Sequence, residues 1–109
     1  PVDGLMVMAG IYEFWRDPAA TTPGTGWLVT CSIITTRATD EAGQVHDRMP
    51  VQVAPHNWQA WLDPGLDAPD VVKALAHVPS PGEMKVRPVS TSVNKVGNDG
   101  PELVEPVDL

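Results

Sequence analysis

The stretch Ser32-Ile33-Ile34-Thr35-Thr36-Arg37-Ala38-Thr39-Asp40-Glu41-Ala42-Gly43-Gln44-Val45-His46-Asp47-Arg48-Met49-Pro50 decides how this chain folds. Its first part, with Cys31 in front, is short, β-branched and bounded by polar residues, which predicts a buried strand. After Arg37 the residues turn to Asp, Glu, Gly and Gln, so the chain should leave the sheet and cross the surface. It then delivers His46, Asp47 and Arg48 together. Pro50 fixes its own φ and biases Met49 toward extended backbone. Val51-Gln52-Val53 then resumes a strand alternation. An imidazole and a guanidinium are therefore expected at the mouth of a sheet.

Working outward, Leu5 to Trp15 is expected as a long strand, apolar on both faces and so buried on both sides. Gly10 within it signals a bulge or a close backbone approach. Arg16 to Gly26 is turn-rich and reads as a loop. Trp27 to Thr36 is the second long strand, paired with the first. Pro55 opens a helix in which Trp58, Trp61 and Leu62 share one face. That spacing favours core packing over a base-stacking platform. A second helix runs from Pro69 to His77, where the histidine suits a helix C-terminus. Met84 to Val89 alternates as a strand, Ser90 to Pro101 is a polar loop, and Leu103-Val104 adds a short pairing. Pro1 to Gly4 reads as a turn. The fold class is α+β: a mostly antiparallel or mixed sheet with two short helices.

Composition narrows the function. The chain has 109 residues, 42% hydrophobic and 19% charged, which suits one small unit. No apolar run approaches the ~20 residues of a membrane helix, and no signal peptide opens it. A single cysteine, Cys31, allows no internal disulfide, and a reducing cytoplasm is the simplest compartment. Cys31 has no charged neighbour to activate it, so a buried structural thiol is expected. The formal net charge of -7 argues against a free-standing electrostatic DNA binder. The histidines have no metal-ligand spacing, no Gly-rich phosphate loop is present, and no cofactor is implied.

Three candidates for chemistry remain. His46 carries an imidazole, the side chain suited to giving or taking a proton near neutral pH; a loop histidine can equally be structural. Arg48 suits a bidentate phosphate contact, or an ion pair with Asp47 or another carboxylate. Thr35 sits at a strand end, where its hydroxyl can bond a phosphate or sugar, or where threonine simply fits a pleated surface. Glu13, among aromatics, reads as a surface carboxylate rather than an acid or base.

The run Ile33-Ile34-Thr35-Thr36 followed by His46-Asp47-Arg48-Met49-Pro50 resembles the signature of the SRAP domain, the SOS-response-associated peptidase family. Three further stretches resemble it in order. They are Ala9-Gly10-Ile11-Tyr12-Glu13-Phe14-Trp15, then Trp58-Gln59-Ala60-Trp61-Leu62-Asp63-Pro64, and Pro88-Val89-Ser90 through Val93-Asn94 to Asn98-Asp99-Gly100-Pro101-Glu102-Leu103. The resemblance implies that residues 1–109 are the C-terminal portion of one SRAP domain with a β-barrel-like sheet. It implies a sensor and processor of abasic sites in single-stranded DNA, nucleoid-associated if bacterial and monomeric when complete. A cysteine after the initiator methionine, absent from this chain, would form a thiazolidine crosslink to the DNA once that methionine is removed autoproteolytically. In that reading His46 assists proton transfer at the sugar ring oxygen and in crosslink reversal. Arg48 and Thr35 contact the DNA. Whether the protein is a peptidase or lyase then turns on a preceding half that carries the cysteine; without it, the chain is an inactive binding or structural module.

Overall fold

A computed structural model of the protein describes residues 4–109, with Asp40 described by its backbone only. Most of the turn expected over residues 1–4 lies outside the described residues. Among the described residues, six short strands and two α-helices make an α+β fold. The strands are β1 (Gly10–Arg16), β2 (Trp27–Ile33), β3 (Thr35–Arg37), β4 (Arg48–Pro50), β5 (Gln52–Val53) and β6 (Ala76–His77). The helices are α1 (Trp58–Trp61) and α2 (Pro69–Leu75). The strands form three open antiparallel ladders, β1–β2, β3–β4 and β5–β6, and no closed barrel forms among the described residues.

The expected pairing of the two long strands is found, from Gly10 opposite Ile33 to Arg16 opposite Trp27. Both strands are shorter than expected. Val7 to Ala9 leave the β1 ladder because their backbone serves other partners: Met8 bridges Gln52, and Val53 N–H donates to Val7 O at 2.9 Å. Ile34 breaks the second strand for the same reason. Ala9 N–H donates to Val51 O (2.8 Å), Val51 N–H to Ile34 O (2.9 Å), and Ile34 N–H to Ala9 O (2.9 Å). Three segments distant in sequence thus close a triangle of backbone hydrogen bonds. Ala9 is wholly buried there, and with Val51 and Val53 it forms the core, against which Ile34, Trp58, Trp61 and Ala76 pack.

The tryptophans are tied into that core. Trp58 Nε1 donates to Val53 O at 2.8 Å and Trp61 Nε1 to Gly10 O at 3.1 Å. Buried indole N–H groups need such partners. The bulge or close approach expected at Gly10 is not found: it pairs in register with Ile33, and a Cβ there would meet only ordinary contacts at 3.7 Å.

Several expectations are corrected. β1 and β2 are not buried on both faces: Ile11, Tyr12, Phe14, Trp15, Leu28 and Val29 are exposed. Among the described residues β2 is the only strand beside β1, and Gly10 to Tyr12 line one cleft with the helical residues Trp61, Val72 and Leu75. Cys31, opposite Tyr12, is accordingly an exposed free thiol rather than a buried one. His77 does not end a helix. α2 stops at Leu75, and His77 pairs with Gln52 in β5–β6. The alternation from Met84 to Val89 yields no strand, only a bridge from Val89 to Pro106, because no neighbouring strand is there to receive it. Leu103-Val104 lie in a 3-10 turn, Pro101–Val104, rather than a pairing.

Candidate functional site

The site is built on the β3–β4 ladder. Its register sets Thr35 opposite Pro50, Thr36 opposite Met49, and Arg37 opposite Arg48. Side chains alternate across a strand, so Thr35, Arg37 and Arg48 share the outer face. Thr36 and Met49 share the inner one. Burial agrees: Met49 is 3% exposed, whereas Thr35, Arg37 and Arg48 are exposed. Met49 is the apolar anchor that turns the polar face outward.

The link between the strands is a compact excursion. Ala38 N–H donates to Asp47 O at 2.8 Å, closing its base. A 3-10 turn, Asp40–Gln44, fills it, and His46 N–H donates to Ala42 O at 3.2 Å. His46 is thereby delivered directly ahead of β4.

The three residues singled out from sequence come together through Arg48. Its guanidinium reaches diagonally across the ladder to Thr35. Nη2 donates to Thr35 O at 2.8 Å and to Thr35 Oγ1 at 3.0 Å, and Nε donates to Oγ1 at 3.3 Å. Its backbone N–H donates to His46 Nδ1 at 2.9 Å. The alternative reading of Arg48, an ion pair with Asp47 or another carboxylate, is not found among the described side chains; Asp47 Oδ1 lies 3.0 Å from His46 Nδ1.

One nitrogen cannot serve both neighbours at once. In the neutral ring with its proton on Nε2, Nδ1 accepts from Arg48 N–H. With a proton on Nδ1, it donates to Asp47. The protonation state therefore selects the partner. In the first state Nε2–H is a donor, and the side chain is 69% exposed.

Glu13 lies away from this unit, exposed on β1, with its own Oε1 accepting from Phe14 N–H at 3.0 Å. A separate polar contact joins His77 Nε2 to Glu83 Oε2 at 2.8 Å. Glu83 also accepts from Ser80 N–H. That backbone hydrogen bond, and next the bond from His77, hold the Glu83 carboxyl below its ordinary value of 4.5. No cluster of metal-ligating side chains exists among the described residues, and no helix there is long and apolar enough to cross a membrane.

Sequence reasoning missed Arg37, taken only as the point after which the chain turns polar, past a strand expected to end at Thr36; it lies within β3. The signal was the two-residue step from Thr35, which puts both on one face once the strand register is known.

The family model for SOS response associated peptidase (SRAP) matches residues 2–96. The abasic site processing protein YoqW of Bacillus subtilis is 37% identical over 101 residues, covering 93% of this chain and 43% of that protein. YoaM, of the same name and organism, is 36% identical, covering 93% and 42%. The abasic site processing protein HMCES of Gallus gallus is 34% identical over 115 residues, covering 96% of this chain and 30% of that protein. The chain thus spans less than half the length of these relatives. No solved structure gives a significant match.

Proposed function

The chain belongs to the SOS response associated peptidase family, and from that membership we propose that it is the C-terminal portion of a single SRAP domain that processes abasic sites in single-stranded DNA. The complete domain closes the open ladders into a barrel. An N-terminal cysteine outside this chain, freed by autoproteolytic removal of the initiator methionine, is the nucleophile. The relatives named as abasic site processing proteins support the substrate.

The chemistry is a condensation. The ring-opened abasic sugar presents an aldehyde at C1′. The cysteine amine attacks it and water leaves, giving an imine. The thiol sulfur then adds to the imine carbon and its proton passes to the nitrogen, closing a thiazolidine. Ring opening must come first, and it needs a proton on the sugar ring oxygen as the C1′–O bond breaks. As the imidazolium, with its Nδ1–H on Asp47, His46 gives that proton from Nε2 while the C1′ hydroxyl loses its own to water; in reversal the neutral ring takes the proton back from the sugar oxygen. Arg48 and Thr35 hold the adjoining backbone.

The observation that carries this reading is the role of Arg48 as a joint. Its guanidinium is bonded to Thr35 and its backbone N–H to His46 Nδ1. A phosphate on the guanidinium therefore sets the distance from the backbone to the imidazole, and positioning of this kind is a main source of rate.

The test uses the full-length protein with an abasic-site oligonucleotide in single-stranded form, in duplex form, and intact. A heat-stable slow-migrating adduct with the single-stranded abasic oligonucleotide alone is expected. Failure to form it overturns the reading.

A further inference from the structure

Arg37 and Arg48 are direct cross-strand neighbours on the outer face of β3–β4. Like charges placed opposite one another in a ladder destabilise it. The chain carries only seven cationic side chains against fourteen acidic ones. Two of the seven nonetheless stand opposite each other, and among the described side chains no carboxylate is within ion-pair distance of either. Arg48 has turned its guanidinium diagonally away, onto Thr35 O and Oγ1. Two exposed arginines on one face, with Arg48 two residues from His46, make a local cationic spot on an acidic molecule. An anion with two charges at neighbouring positions relieves their repulsion.

We infer that Arg37 and Arg48 form a two-phosphate track, with Arg37 holding the backbone phosphate next to the one held by Arg48. The inference rests on the reading of this face as a DNA-binding one and extends it to a residue and a direction: the strand of DNA crosses the ladder from β4 to β3. It also accounts for DNA binding by so acidic a chain. Phosphate affinity is set by the cations that line the path and release counterions, not by net charge alone.

The experiment is a salt titration of binding to single-stranded DNA by the full-length protein, as wild type, Arg37→Gln, Arg37→Lys, Arg48→Gln and the double Gln variant. For single strands, the slope of log affinity against log salt changes by about 0.7 per phosphate neutralised. Each Gln variant is expected to flatten the slope by about 0.7 and the double variant by about 1.4, while Arg37→Lys keeps the wild-type slope. A second arm replaces one of two neighbouring linkages with an uncharged methylphosphonate. Each replacement flattens the wild-type slope, and Arg37→Gln abolishes the effect of one of them. A wild-type slope in Arg37→Gln, beside normal adduct formation, overturns the two-phosphate track and leaves the functional reading standing. Absence of any DNA binding by the wild type overturns both.

Discussion

Arg48 and Thr35 lie thirteen residues apart in sequence, yet the guanidinium of one contacts both oxygens of the other, at 2.8 and 3.0 Å from Nη2. Thr35 fixes the direction of the charge. Thr35→Val keeps the β-branched shape and the carbonyl acceptor but removes Oγ1, taking two of the three hydrogen bonds. Without Oγ1 the guanidinium is held less firmly in line for a phosphate, so DNA affinity is expected to fall about fivefold, roughly 1 kcal/mol, with a small drop in melting temperature from the lost hydrogen bonds. An affinity equal to wild type would show that Thr35 does not orient the arginine.

His46→Ala in the full-length protein is expected to slow adduct formation or its reversal by about 10²–10⁴-fold, the usual contribution of a positioned proton donor. Binding should stay near wild type, because proton transfer acts on the transition state. The check is a gel of covalent adduct against time beside an equilibrium binding curve. Wild-type rates in both directions would make His46 a structural residue of its loop.

Ala9 is 0% exposed at the centre of the backbone triangle. Ala9→Leu adds three carbons where no space exists, and overpacking of this kind costs about 1–3 kcal/mol. A lower denaturation midpoint is expected, read by urea unfolding. An unchanged midpoint would mean that the core has slack at this point.

Glu83 supplies a pH dependence of known sign. Its carboxyl is held below 4.5 in the folded protein, first by Ser80 N–H and then by His77. The folded state thus favours the charged form. Its contribution is present above the unfolded value and fades as pH falls through the lowered one. Slower exchange of the Ser80 amide in wild type than in Glu83→Gln is expected at pH 6. The difference should disappear at strongly acidic pH. A difference that persists there would assign the protection to packing rather than to the charged carboxylate.

The parts of the fold legible in sequence were those set by local pattern. The β-branched Ile33 to Thr36 run marked strand, although Ile34 divides it between β2 and β3 and Arg48–Pro50, expected as the end of a loop, is β4; the 58/61 spacing marked the face of α1 that meets the core, while Leu62, expected on that face, is exposed. What was not legible depended on partners. Val7 to Ala9 look like strand, but their hydrogen bonds go to Val51 and Val53 rather than along β1–β2. Met84 to Val89 alternate correctly and find no strand to join. At the site, His46, Arg48 and Thr35 were each visible as residue types. Their linkage through Arg48 was not, because a diagonal contact exists only once the register of two strands is fixed. Arg37 stayed hidden for that same reason.

The triangle joining Ala9, Ile34 and Val51 also has a mechanical meaning. Ile34 directly precedes Thr35, and Val51 directly follows Pro50, so both rails of the β3–β4 ladder are clamped at one end by the same knot. At the other end the ladder runs into the excursion that carries His46. The ladder is therefore a cantilever: rooted in the core, loaded at its free tip. Force applied at the tip would run along both antiparallel strands to the three backbone hydrogen bonds at the root.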